Sequence, residues 1–209
     1  QSDIHETTYT TIPDRIEAAS YICAAIATRG NVVINKVFPG HISGIMSKMI
    51  AMGANIKILD PFTLRVSCDQ RPKAVDIVTQ PYPGFPTDMQ APFTALLAIS
   101  QGVSIVTESI YENRFRQLDE LHRMGANVQH EGNHAIIKGV QKLTGTQVNV
   151  SDLRAGACLL IAGLTATGTT EIMELSHIDR GYEYVTDKLK ALGADITRAI
   201  ILDDGTSYV

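Results

Sequence analysis

Asp14, Asp88 and Asp152 each stand at the head of an apolar run, and arginines gather near the same points. Arg15 and Arg154 lie within a turn of their aspartates. Arg114 sits in Tyr111-Glu-Asn-Arg-Phe115, and Arg180 sits in His177-Ile-Asp-Arg-Gly-Tyr-Glu183. A guanidinium offers two parallel N–H bonds to a carboxylate or phosphate, so this set suits an anionic ligand. Solvated surface pairing is the plain alternative. Helix starts add unpaired backbone N–H groups and a partial positive charge. Within such a set, a carboxylate can orient or deprotonate a substrate hydroxyl. Asp14 and Asp152 read equally as N-caps, worth about 1 kcal/mol each, or as carboxylates of the site. Asp88 is different. Thr87 and Gln90 have the spacing of a capping box, which would leave the Asp88 carboxylate free. The stiff Pro81-Tyr-Pro-Gly-Phe-Pro86 segment ahead of it would hold it in place.

Other chemistries find little support. His130 and His134 flank a hairpin turn with no further ligands near in sequence, so no metal site is expected. Gly139 to Gly145 lacks the Gly-Lys-Ser/Thr ending of a phosphate loop. No Ser or Cys lies in a nucleophile motif, and no cofactor is implied. The formal net charge of −4 and the lack of a Lys/Arg run argue against nucleic acid. Ala155 to Ala166 is uncharged but too short to cross a bilayer, so no membrane partner is expected. The polar first residues carry no apolar leader segment, and Gln1 in place of Met suggests a start that is not the native one. Cys23, Cys68 and Cys158 are odd in number and far apart. The first and last lie in apolar runs, which points to buried thiols in a reducing, cytoplasmic compartment.

The elements that must position these residues come in three copies. Asp14, Gly30 and Gly53 mark the first, Asp88, Gly102 and Gly125 the second, and Asp152, Gly168 and Gly193 the third. The first interval is 16, 14 and 16 residues and the second is 23, 23 and 25, so two anchors keep step three times. Each copy reads β-α-β-α-β-β. The first copy has a strand over about His5 to Ile12 and a helix over Asp14 to Thr28 closed by a left-handed Gly30. A β-rich run from Asn31 to Val37 follows, then a helix to Gly53. Strands over Ala54 to Leu59 and Thr63 to Cys68 turn at Asp60-Pro61. Copy two turns at Glu131-Gly-Asn133, and copy three at Asp203-Asp-Gly205. The first helix of each copy is apolar nearly all round; the second carries a stripe such as Val185, Leu189 and Leu192. Three buried helices inside a shell predict a single domain, residues 1–209, with pseudo-threefold symmetry and units of about 1–70, 71–143 and 144–209. The helix starts, and their arginines, would then converge.

The strings Phe85-Pro-Thr-Asp-Met-Gln90, Glu112-Asn-Arg-Phe115, Asp152-Leu-Arg-Ala155 and His177-Ile-Asp-Arg-Gly-Tyr-Glu183 resemble the enolpyruvyl transferases. They are most similar to the branch acting on UDP-N-acetylglucosamine. Pro13-Asp-Arg-Ile-Glu17 agrees, and the resemblance runs along essentially the whole chain. It implies an inside-out α/β barrel and transfer of the enolpyruvyl group of phosphoenolpyruvate to the sugar 3-hydroxyl, the first committed step of peptidoglycan synthesis. It also implies roles: Asp88 toward the 3-hydroxyl, Ile110 toward the UDP-sugar through its backbone, and Arg180 toward phosphoenolpyruvate. Arg114 and Arg154 fall on active-site arginines, and Asp14 and Asp152 on aspartates facing the cleft. Family members are about twice as long and close two such domains over the substrates. This chain lacks the family's Lys-Asn pair and the loop whose Cys or Asp protonates C3, together with that loop's arginine. Its three cysteines match scaffold positions. It therefore corresponds to the C-terminal half, expected to be inactive alone, with the second domain as partner. The shikimate-pathway transferase and a non-catalytic half-domain binding anions or a partner chain are the rival readings.

Overall fold

The computed structural model describes residues 5–112, 114–201 and 207–208. Copy one opens with α1 (Arg15–Ala27), followed by β1 (Asn31–Asn35), a 3-10 turn, α2 (Ser43–Ala51), β2 (Asn55–Asp60) and β3 (Thr63–Ser67). Copy two comprises β4 (Ile77–Val78), α3 (Gln90–Ala98), β5 (Val103–Thr107), α4 (Gln117–Arg123), β6 (Asn127–Glu131) and β7 (His134–Lys138). A 3-10 turn, Thr87–Met89, leads into α3. Copy three comprises β8 (Gln147–Asn149), α5 (Leu153–Gly163), β9 (Glu171–Met173), α6 (Ser176–Asp179), α7 (Val185–Ala191), β10 (Ile200–Ile201) and β11 (Ser207–Tyr208).

Helices and sheets sort as an α/β fold. The first two copies share a strand order: β1-β3-β2 in one, and β5-β7-β6 with β4 added in the other. Val66 of β3 faces Val32 and Ile56, as Ile137 of β7 faces Ser104 and Val128. β4 joins β5 in parallel, and β8 joins β9 the same way. The apolar helices α1, α3 and α5 pack on one another, and every residue of α3 is buried. Their apolar side chains belong to one cluster with contributions from all three copies. Burying all sides of a helix needs the all-round apolar sequence these three have. The outer helices bury only a stripe, such as Ile45 and Met49 in α2 and Leu118 and Leu121 in α4. Cys23 and Cys158 lie in the core without exposure, where burial pushes their thiols up from the ordinary value.

The recurring Gly-Ala pair has one cause in all copies. Gly53, Gly125 and Gly193 adopt φ of 102°, 87° and 94°, a backbone region that disfavours any side chain. The next residue then folds its N–H back onto the helix: Ala54 to Met49, Ala126 to Leu121 and Ala194 to Leu189. This is the Schellman closure, which satisfies carbonyls that a helix end leaves open.

Four expectations change. Residues 5–14 form no strand, so β1 has no parallel neighbour comparable to β4 or β8. α1 closes with Arg29, not Gly30, in the left-handed region (φ 55°), while Gly30 donates to Ala25 at 2.7 Å. The glycine thus stands one place beyond the strained position. Leu192 lies off the buried stripe of α7 and is 52 % exposed. After Gly193, residues 194–199 form no strand; β10 pairs with β11, and the Asp203-Asp-Gly205 turn lies outside the described residues.

Gly139 joins the end of β7 to the end of α3. A Cβ there would lie 1.8 Å from the Ser100 carbonyl oxygen, and 2.7 Å from its carbon. Both are backbone atoms pinned by hydrogen bonds, so no rotamer change relieves the clash. Gly139→Ala should therefore reduce unfolding free energy by about 3 kcal/mol, the upper end for overpacking. Urea unfolding of the two proteins measures it; an unchanged midpoint would contradict this packing.

Candidate functional site

Pro86 is extended (φ −74°, ψ 139°), and the Thr87–Met89 turn after it delivers Asp88 to the start of α3. The Asp88 carboxylate lies between two guanidiniums. Arg114 Nη2 is 3.1 Å from Oδ1 and Arg154 Nη2 is 3.2 Å from Oδ2. The Asp88 side chain keeps 37 % of its surface, against 19 % and 17 % for the two arginines. The carboxylate thus faces solvent over a mostly covered basic floor. Burial pushes the Asp88 carboxyl upward, but hydrogen bonds and charge from Arg154 and Arg114 outweigh it and hold it below the ordinary value.

Each arginine is itself held. Arg154 is the second residue of α5, whose first turn is capped by Asp152: Oδ1 accepts from the N–H of Arg154 at 2.8 Å and of Ala155 at 3.0 Å. Arg154 also lies near the buried Tyr182, whose hydroxyl sits 2.8 Å from Ser20 of α1. Arg114 donates through Nη1 to the Thr87 hydroxyl at 2.8 Å and lies over the Tyr111 ring at 4.8 Å. Asp14 caps α1 in the same manner as Asp152, accepting from Ile16 at 2.7 Å and Glu17 at 3.1 Å. For both aspartates, open between two readings in the sequence, the geometry gives the cap.

Asp88 is free of capping, but not for the expected reason. Thr87 makes no capping bond. Its hydroxyl donates instead to the Glu108 carboxylate at 2.9 Å, and Gln90 accepts from Gln117 at 3.1 Å rather than reaching back. A charged acceptor draws a hydroxyl more strongly than a neutral backbone group would. Ile110 lies in the loop after β5, 45 % exposed. Its N–H is taken by Glu108 at 2.9 Å, leaving the carbonyl as its backbone contact point. Arg180 follows α6, exposed, and its side chain makes no hydrogen bond or ion pair among the described residues. The next residue, Gly181, lies against Leu153 at the start of α5. Arg180 is thus next in sequence to a residue that touches the start of α5, and it does not join the clamp. His134 bonds Thr107 at 3.0 Å and His130 packs on Phe115.

Glu108 and Tyr182 were not singled out from sequence. Glu108 continues the inward alternation of Ser104 and Val106, both buried. A carboxylate at a core-facing strand position was the available signal. Tyr182 lies within the same string as Arg180, but nothing in the string assigns it to Arg154.

Comparison with known proteins settles the class. A model of the family EPSP synthase (3-phosphoshikimate 1-carboxyvinyltransferase) matches residues 1–189, and the chain belongs to this family of enolpyruvyl transferases. Within the family, its relatives include UDP-N-acetylglucosamine 1-carboxyvinyltransferase 3 of Caldanaerobacter subterraneus subsp. tengcongensis, 54 % identical over 91 % of this chain and 45 % of the relative. UDP-N-acetylglucosamine 1-carboxyvinyltransferase 2 of Bacillus subtilis is 48 % identical over 97 % of this chain and 47 % of its own length. The chain spans about half the length of these curated relatives. The enolpyruvyl transferase NikO from Streptomyces tendae superposes with a TM-score of 0.80 at 26 % identity, over 90 % of this chain and 45 % of that one. EPSP synthase from Acinetobacter baumannii, at 19 % identity and a TM-score of 0.67 over 91 % of this chain and 45 % of that one, shares the fold. No helix among the described residues is long and apolar enough to cross a membrane.

The depressed Asp88 value carries a sign. A carboxylate whose folded pKa is lowered contributes stability above its unfolded pKa, about 3.9, and loses it as pH falls through the folded value. The stability difference between wild type and Asp88→Asn should therefore be constant near neutrality and shift on acidification below about pH 4. Arg154→Met should move the Asp88 titration upward, as followed by carboxyl-carbon NMR. A fixed or lower value would mean that Arg154 does not hold the carboxylate.

Proposed function

We propose that the chain is the part of a UDP-N-acetylglucosamine 1-carboxyvinyltransferase that carries the hydroxyl-activating carboxylate. The observation that carries this reading is Asp88 set between Arg114 and Arg154 with its open side toward solvent. The names of relatives about half identical to it support the substrates: UDP-N-acetylglucosamine and phosphoenolpyruvate. In the reaction, the sugar 3-hydroxyl adds to C2 of phosphoenolpyruvate while a proton reaches C3. The tetrahedral adduct then loses inorganic phosphate and a C3 proton, leaving the enol ether.

Asp88 takes the hydroxyl proton. Paired with two arginines it is a weak base, because they favour its charged form. An incoming phosphate or carboxylate competes for the same guanidiniums. As they turn to the substrate, the carboxylate regains basicity where the hydroxyl arrives. Arg180, whose side chain is unpaired among the described residues, adds a further anion contact. Ile110 meets the UDP-sugar through its carbonyl, and Asp14 and Asp152 support the helix ends. On this reading the fold is one domain, an inside-out barrel of three pseudo-threefold units, working in the cytoplasm on peptidoglycan precursors. A second, complementary domain supplies the C3 proton donor and closes over the substrates, excluding water.

Joining this chain to the complementary part of the Bacillus subtilis relative gives an enzyme in which the reading is measured by phosphate release. The joined enzyme should turn over both substrates, whereas this chain alone should release none. In the joined enzyme Asp88→Asn should lower turnover by roughly 10²–10⁴-fold, the contribution of a positioned base, with a lower thermal midpoint but the enzyme still folded at the assay temperature. Turnover by the chain alone would overturn the half-site reading, and full activity of the variant would overturn the assignment of the base.

A further inference from the structure

Glu108 is 4 % exposed, yet among the described residues its carboxylate pairs with no cation. Its four partners are neutral donors, and they divide between its two oxygens. Oε1 accepts from the Thr79 hydroxyl at 2.7 Å, the Ile110 N–H at 2.9 Å and the Tyr111 N–H at 3.0 Å. Oε2 accepts from the Thr87 hydroxyl at 2.9 Å. One oxygen therefore shapes the loop that carries Ile110 and Tyr111. The other acts on the residue next to Asp88.

The second contact fixes a polarity. Thr87 has a single hydroxyl hydrogen, and Glu108 takes it. Its lone pairs are then turned toward Arg114, whose Nη1 donates to the hydroxyl at 2.8 Å while Nη2 reaches Asp88 at 3.1 Å. The guanidinium is thereby anchored at one corner and presents the other to the carboxylate. Arg114 also lies over the ring of Tyr111, whose backbone Glu108 holds. Both routes from Glu108 end at the same guanidinium. Glu108, Ile110, Tyr111 and Arg114 line a single open cavity of about 500 Å³.

We propose that Glu108 is a positioning residue that couples the sugar-binding loop to the Asp88–Arg114 clamp, so that one buried carboxylate sets ligand affinity and the placement of the base together. The proposal rests on the reading of this cavity as the UDP-sugar side of the transferase site. Desolvating a carboxylate is costly unless its oxygens are well filled with donors. Simple core packing would be met more cheaply by an apolar residue. A strand end that must hold two backbone N–H groups and two hydroxyls at once has use for two acceptor oxygens on one rigid group.

Glu108→Gln separates the two ends. Its amide oxygen can keep the Oε1 partners, but its NH₂ then points at Thr87, a donor against a donor. Thr87 must turn its hydrogen away, so that the orientation holding its lone pairs toward Arg114 is no longer fixed. Thr87→Val removes only the clamp end, and Thr79→Val acts only at the loop, where the Thr79 hydroxyl donates to Glu108 and accepts from the Ser109 N–H at 2.8 Å. In the joined enzyme, Thr87→Val and Glu108→Gln should chiefly lower kcat and Thr79→Val should chiefly raise KM for the UDP-sugar, each by tenfold or more. If all three lower the thermal midpoint while kcat and KM stay within twofold, Glu108 is a packing residue and the proposal is wrong. A second measurement uses this chain alone, independently of turnover. In nitrogen-15 spectra, Thr87→Val should shift the Ile110 and Tyr111 amide signals as well as the Arg114 guanidinium signal, through Glu108. In a Glu108→Gln background the same substitution should leave the two amides in place. Amides that ignore Thr87→Val in the wild-type background would overturn the coupling. A joined wild type without turnover, beside intact coupling in the spectra, would instead overturn the substrate reading.

Discussion

The clamp on Asp88 is where the copies of the repeat become one molecule. Asp88 and Arg114 come from the second copy, Arg154 and Tyr182 from the third, and Ser20, bonded to Tyr182, from the first. Each group could be solvated alone at little cost. Covered as they are by packed helices, the arginines need a counter-charge, and Asp88 supplies it to both. Breaking a covered pair from one side leaves a charge without a partner, which costs far more than the pair itself contributes. The apolar helices α1, α3 and α5 pack through their side chains, and the clamp joins the start of α3 to the start of α5.

That constraint also sets the chemistry. A carboxylate held by two cations is stable as an anion and reluctant as a base. On the proposed reading, such a site stays quiet until an anion draws the guanidiniums away. Asp152 serves the same end from behind, since its cap fixes the turn on which Arg154 rides. Stability and reactivity thus share the same few hydrogen bonds, and neither can be altered without the other.

Much of this was legible in the sequence, and the failures have physical causes. Asp88 stood out because the three copies align and its neighbours had capping potential. The freedom of its carboxylate was right, yet Thr87 spends its hydroxyl on Glu108, a residue distant in sequence that local spacing cannot weigh. Arg29 took the left-handed position one place before the glycine, and Gly30 makes the return bond that alanine makes at the ends of α2, α4 and α7; any residue with an N–H can donate there, so the glycine did not mark the strained place. Residues 5–14 had a strand-like pattern but form no strand beside β1, and a β-pattern does not name its partner. Arg180 could be placed in a motif, but its lack of a partner is a tertiary fact. The family and the α/β fold, by contrast, were carried by strings long enough to need no tertiary information.

The Gly-Ala endings of the outer helices carry a different kind of consequence. Each closure is defined by one backbone conformation and one return hydrogen bond, all within six residues. Its geometry is set afresh in every copy, whatever length of chain precedes it. The third copy runs two residues longer between its anchors than the others, yet Gly193 and Ala194 end α7 as their counterparts end α2 and α4. Such local resets let insertions accumulate ahead of them without displacing the chain on their far side. The connecting segments can therefore differ in length from copy to copy while each outer helix ends, and the chain beyond it starts, in the same geometry.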